Sequence, residues 1–161
     1  MLDWLESTSI ATWIQLSVWG YPFTLSAHAV GMAIVVGLTT VTGLRILGFP
    51  SGFPLSTLKS LIPIWLLGIL LNASSGLALF AADANRLFVN RPFQIKILMI
   101  VIGSILFQRL YATSIRPAAQ SAAANMPFEP SRGQKWLAAI VILTWWFSVI
   151  LSGRLIAYMD L

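Results

Sequence analysis

The chain has 161 residues, of which 58% are hydrophobic and only 9% charged, with a mean hydropathy of +0.84. A soluble domain carries about 25% charged residues, so this composition excludes a water-covered globule and equally a disordered, charge-rich chain. It reads as one all-α domain over 1–161, a polytopic membrane protein. Absence of cysteine removes disulfides, thiolate metal sites, iron–sulfur clusters and thiol nucleophiles. One histidine, His28, excludes a multi-histidine zinc site and haem held by two histidines of one chain. The ten Lys and Arg outnumber five Asp and Glu, but they are scattered between apolar runs. That pattern points to loops anchored at a lipid surface, with no nucleic-acid partner. The start, Met1-Leu2-Asp3-Trp4-Leu5-Glu6, has no basic stretch and is not expected to be a cleaved secretory signal.

In chain order, residues 7–44 contain no charge. At about 1.5 Å per residue they are too long for one span and too short for two comfortable ones. Gly20-Tyr21-Pro22 divides them. The piece before the break predicts a short interfacial helix over 9–19, anchored by Trp4, Trp13 and Trp19. The first span follows over about 22–47 and ends at Gly48-Phe49-Pro50. The second covers about 57–82, with Pro63 expected to kink or loosen its beginning. The third covers about 93–113, bounded by Lys96 and Arg109, and the fourth about 136–159. Residues 117–134 read as the longest loop. The expectation is an integral membrane four-helix bundle with a short N-terminal interfacial helix.

With four spans, both termini and the 83–92 connection share one side. The opposite side holds Arg45, Lys59, Arg109, Arg116, Arg132 and Lys135, against Arg86, Arg91, Lys96 and Arg154. Six cations against four is a modest positive-inside bias, which predicts both termini outside.

Several polar residues should meet in the outer half of the bundle. His28 lies six residues into the first span, roughly 9 Å below its end. Gly31 and Met32 share its face, and Ala27 and Gly31 form a small-xxx-small pair that permits close backbone approach. A void there would also admit a flat ligand. On the second span Gly68, Asn72, Ser75, Gly76 and Leu79 form one stripe, which should face protein rather than lipid. Lys96 opens the third span with Met99 one turn deeper, and Thr144, Ser148, Ser152 and Arg154 mark the fourth. His28 has three readings: a structural histidine bonded to a neighbouring helix, an axial haem ligand, or a proton-transfer or copper residue. Under the haem reading, Lys96, Arg154 or Arg91 would meet the propionates, and the sixth position would be open or filled by a methionine such as Met99. Lys96 and Arg154 equally suit snorkelling to lipid phosphate. Arg45 reads as an anchor at the far interface, and Asp83 as a partner for Lys96 or Arg154. The dispersed methionines do not form a copper relay.

The order Ser17-Val18-Trp19-Gly20-Tyr21-Pro22, His28 and Gly31, Leu44-Arg45-Ile46-Leu47-Gly48, Pro63, Gly76-Leu77-Ala78-Leu79-Phe80, Asn90-Arg91-Pro92-Phe93-Gln94-Ile95-Lys96 and Ser152-Gly153-Arg154 resembles a family of small bacterial four-helix membrane proteins of unknown function. More distantly, His28, Arg45, Pro63 and Lys96 are similar in order to membrane-bound protoporphyrinogen oxidase, and the helix count to copper-resistance D-type domains. The resemblance implies a bacterial inner (cytoplasmic) membrane location and b-type haem on His28, serving electron transfer, quinone chemistry or haem handling with a quinone or redox partner. It leaves enzymatic activity open. The competing readings are a cofactor-free structural or interaction subunit, and a small transporter or copper-handling protein. Small residues on several helices and seven tryptophans are compatible with a homo-oligomer and do not require one. On these readings the site residues are His28, Gly31, Met32, Ser75, Gly76, Arg91, Lys96, Met99 and Arg154, with His28 the metal ligand.

Overall fold

The computed structural model describes residues 2–49 and 52–150. Helix α1 (Asp3–Glu6) and helix α2 (Ser9–Leu16) precede the first long helix, α3 (Gly20–Leu47). A 3-10 turn, Leu55–Leu61, leads into α4 (Ile62–Ala82); a short α5 (Ala84–Val89) and α6 (Arg91–Leu110) follow. A π-helical turn, Tyr111–Ile115, joins α6 to α7 (Arg116–Ala123), and α8 (Arg132–Ile150) completes the described chain. Four segments are long and apolar enough to cross a membrane: Gly20–Leu47, Leu55–Ala82, Arg91–Ala123 and Arg132–Ile150. The protein is thus an all-α membrane bundle.

Local sequence explains the boundaries. Ser17–Trp19 breaks the N-terminal helix earlier than the expected 9–19, so the interfacial piece is only Ser9–Leu16, capped by Thr8 Oγ1 accepting from the Ala11 N–H. Pro22 sits in the first turn of α3, where its missing N–H costs nothing. Gly48 closes α3 at φ 107, and the Gly48 and Phe49 N–H groups take up the carbonyls of Arg45 and Leu44. Pro63 does not kink α4. It stands in the helix's first turn, and the chain before it is wound as a 3-10 turn. The 83–92 connection, read as loop, holds α5. The third crossing continues through the π turn into α7, so the expected 117–134 loop shrinks to about 124–131. The fourth helix begins at Arg132, four residues early, because Ser131 and Gln134 form a capping box: the Ser131 N–H donates to Gln134 Oε1 at 2.6 Å, and the Gln134 N–H to Ser131 Oγ at 3.4 Å. The remainder of the expected 136–159 span, beyond Ile150, lies outside the described residues.

Helix α3 is central, packing along α4 and α8, while α6 packs on α8 and α2 on α4. Contact with α4 is close. A Cβ on Gly31 would lie 2.6 Å from the Asn72 backbone nitrogen, and one on Gly68 2.6 Å from Ile34 Cγ2. Small residues at these points let two apolar helices approach without a hydrophobic driving force between them. Wider gaps are filled by rings: Trp65 of α4 stacks on Phe107 of α6 at 4.3 Å and meets Trp145 of α8 edge-on, and Phe80 stacks on Phe93 at 5.5 Å. The apolar core built on Val35, Ile46, Leu58, Leu110, Ile115 and Val141 occupies the half nearer the α3–α4 connection. Arg45 lies there, donating to the Phe53 carbonyl at 2.6 Å and covering the Phe53 ring, which pins that connection.

At the other end, Asn85 gathers the N-terminal segment. Its side chain accepts from the Leu2 N–H and donates to Asp3 Oδ1, and its backbone N–H donates to Glu6 Oε1. Hydrogen bonding from Asn85 holds the Asp3 carboxyl below the usual carboxylate range. Gln15 ties α2 to the Ala82 carbonyl at 2.8 Å. Exposed Trp4, Trp13, Trp19 and Tyr21 ring this end, as an aromatic belt does at a membrane interface.

Close approach at Gly31 predicts that Gly31→Ala destabilises the protein by about 1–3 kcal/mol, the usual cost of overpacking. Gly37→Ala, where nothing lies within 4 Å of the added Cβ, leaves thermal unfolding in detergent unchanged or slightly improved. Equal melting of the two variants would contradict this packing.

Candidate functional site

The half of the bundle opposite the aromatic core carries polar groups in its interior. Helices α3 and α4 run antiparallel, so moving back from Gly31 toward His28 on α3 corresponds to moving on from Asn72 toward Gly76 on α4. Asn72 Nδ2 donates to the His28 carbonyl at 3.0 Å. In return His28 Nδ1 lies 3.1 Å from the Asn72 carbonyl and 3.3 Å from Ser75 Oγ. Gly76 makes room for the ring, since a Cβ there would stand 3.0 Å from His28 Cε1.

These partners fix the proton on the imidazole. A backbone carbonyl can only accept, so Nδ1 carries the hydrogen and donates to Asn72. Ser75 directs its own hydroxyl hydrogen to the Leu71 carbonyl at 2.6 Å, which leaves its oxygen as an additional acceptor. Nε2 is left with a lone pair in the neutral ring, and Lys96 Nζ approaches it at 3.5 Å from the third crossing. Lys96 is placed by the start of α6, where Asn90 Oδ1 caps the Phe93 N–H at 2.9 Å and Pro92 occupies the first turn. Its side chain is buried at 9% relative exposure, so it turns inward rather than snorkelling. Among the described residues no carboxylate pairs with it. Asp83, expected as its partner, instead binds Arg86 three residues on.

The structure therefore joins His28, Asn72, Ser75, Gly76 and Lys96. The other expected site residues fall elsewhere. The Gly31 position is filled by the α4 backbone, so the anticipated void beside His28 does not exist there. Met32 packs against the apolar core. Arg91 is exposed, and Met99 is half-buried one turn beyond Lys96 on α6. On α8, Ser148 is buried and Thr144 bonds back to the Ile140 carbonyl; Ser152 and Arg154 lie outside the described residues. Asn72 was expected on a protein-facing stripe; its role in orienting His28 depends on the α3–α4 register, which residue spacing in one chain does not reveal.

The arrangement tests the expected b-type haem on both sides. Anchoring Nδ1–H on a backbone carbonyl is how proteins orient a metal-binding imidazole toward its Nε2. Yet Lys96 Nζ stands where iron on Nε2 would stand, so in this arrangement Lys96 cannot serve the propionates while His28 holds the metal. The Gly31 and Gly76 positions are occupied by the α4 backbone and the imidazole itself, leaving no slot for a macrocycle between α3 and α4. For His28 to hold haem iron, Lys96 would first have to leave Nε2. Among the described residues no group of three His, Asp or Glu side chains could hold a metal ion. No family model, characterised protein or solved structure matches the chain.

With one histidine in the chain, nitrogen-15 NMR gives an unambiguous readout. The expected spectrum has a protonated Nδ1 and an unprotonated Nε2. Lys96→Met should move the Nε2 resonance and leave the Nδ1 proton in place, whereas Gly76→Leu should displace the ring and disturb both. A protonated Nε2 with bare Nδ1 would contradict the Asn72 hydrogen bond.

Proposed function

We propose that this integral membrane protein receives an anionic group at Lys96 and His28, inside the end of the bundle that carries the N-terminal helices. The observation supporting this reading is that Lys96 is buried and, among the described residues, has only an imidazole nitrogen as partner. Taking an ammonium out of water costs several kcal/mol, which one neutral acceptor offsets only in part. A ligand carboxylate supplies the missing counter-charge. It would accept from Lys96 Nζ and take the place now held by His28 Nε2. Because Nδ1–H is committed to Asn72, the imidazole offers the anion a second donor only by taking up a proton at Nε2. Half-exposed on a membrane-spanning helix, His28 suits a lipophilic carboxylate arriving from the bilayer better than a fully hydrated ion.

The test is a titration of the detergent-solubilised protein with a fatty acid. Saturable binding accompanied by proton uptake is expected, and Lys96→Met should weaken it about tenfold or more, the worth of a charged hydrogen bond. Binding unchanged in Lys96→Met would sink the reading. A second reading, b-type haem on His28, is favoured by the Nδ1 anchor alone and requires Lys96 to leave Nε2. It predicts a Soret band in protein from haem-replete cells that His28→Ala abolishes. Protein that stays colourless and takes up no haem would end it.

We further infer an inner-membrane location with both termini outside, from the six-to-four distribution of cations. A reporter fused after Leu161 should then read periplasmic and one inserted in the 124–131 loop cytoplasmic. Reversed signals would invert the sidedness and leave the bundle intact.

A further inference from the structure

The end of the bundle remote from His28 concentrates positive charge. Lys59, Arg109, Arg116, Arg132 and Lys135 are all exposed, and among the described residues none pairs with a carboxylate. Among the described residues Glu129 is the single acidic residue at this end. The fold brings these cations together although they come from four elements. The 3-10 turn bearing Lys59 packs on α7 and the π turn. Thr113 bonds back to the Arg109 carbonyl at 2.8 Å, and the Gln134 amide, besides capping α8, donates to the Thr113 carbonyl. That bond sets the first turn of α8, with Arg132 and Lys135, against the π turn between Arg109 and Arg116. The positive end of the α8 dipole adds to the same field.

We propose that this basic end is a seat for anionic phospholipid headgroups, centred on Arg109, Arg116, Arg132 and Lys135 around the Gln134–Thr113 bond. Its level in the bilayer argues for lipid over other polyanions. Trp136, beside Lys135, is 63% exposed, and an exposed tryptophan at the mouth of a span marks the headgroup region. Arg91–Ala123 has 33 residues, about 50 Å of helix against a hydrocarbon core of about 30 Å. The π turn and α7 therefore emerge into the interface, where the phosphates lie. Arginine forks suit phosphate oxygens, and each cation near an anionic surface contributes about 1 kcal/mol, or about a fivefold change in affinity.

The test uses the full chain in a neutral detergent, titrated separately with phosphatidylglycerol, phosphatidylcholine, inorganic phosphate and a short oligonucleotide, with thermal unfolding and native mass spectrometry as readouts. Phosphatidylglycerol should raise the melting temperature and remain bound in the mass spectrum, and 0.5 M salt should weaken both effects. Arg116→Gln with Arg132→Gln should weaken retention about 25-fold, two fivefold steps, while Arg86→Gln at the opposite end should not change it. Helix content by circular dichroism, unchanged in the double variant, separates loss of the seat from loss of fold. Equal retention of phosphatidylcholine would overturn the proposal. So would a response to inorganic phosphate equal to that of the lipid, which would make this a free-anion site, or preferential retention of the oligonucleotide.

Discussion

The close approach of α3 and α4 is the constraint on which the rest of this structure depends. Two apolar helices in lipid gain nothing from burying leucine against leucine, because the lipid is equally apolar. They associate through fit and through hydrogen bonds. Gly31 and Gly68 allow the fit, and the reciprocal pair of Asn72 with the His28 carbonyl and His28 with the Asn72 carbonyl supplies the bonds. Interhelical hydrogen bonds of this kind in membranes are worth about 0.6 kcal/mol on average. Their larger consequence is positional: once the register is set, the imidazole has one orientation and one tautomer.

That register also divides the bundle along its length. Toward the α3–α4 connection the helices are spaced by large rings, with Trp65 in contact with both Phe107 and Trp145. Toward the N-terminal helices the small and polar groups around His28 carry the α3–α4 contact, with the Phe80–Phe93 stack bridging α4 and α6. An aromatic layer is stiff and excludes water, so it gives the polar half a fixed floor. The Asn85 cluster ties the N-terminal segment over the opposite end. Lys96 and His28 thus lie between two structured layers rather than in a uniform apolar core.

Much of the architecture is legible in the residues because it follows from quantities a single chain displays. Uncharged runs give the four spans, and Gly20-Tyr21-Pro22 gives the break before the first. The inward face of α4 follows from the spacing of Gly68, Asn72, Ser75 and Gly76. What escapes the sequence is pairing across the bundle. Asp83 and Lys96 have opposite charges at similar depth, yet Asp83 closes on Arg86 within its own segment, because a local pair needs no helix rearrangement. The π turn at Tyr111–Ile115 holds no proline or glycine itself; Pro117 just after it, having no N–H, leaves the Thr113 carbonyl open. Its register is read only from Gln134 reaching the Thr113 carbonyl. The site was visible as a set of residues at one depth, while its chemistry, set by which atom faces which, was not.

The pairing of His28 with Lys96 follows from what each alternative would cost. Were Nε2 to carry the proton instead, Nδ1 would present a lone pair to the Asn72 carbonyl, two acceptors at 3.1 Å, and Nε2–H would point at an ammonium with nothing to give it. Both contacts would be repulsive or empty in a medium that supplies no water to relieve them. With Nδ1 protonated, both contacts become donor–acceptor pairs. The α4 backbone therefore dictates, through one carbonyl, that the nitrogen facing the third crossing is a base. The buried lysine thus faces a base and, among the described residues, no carboxylate, and this asymmetry distinguishes the pair from the packing polar groups elsewhere on the same helices.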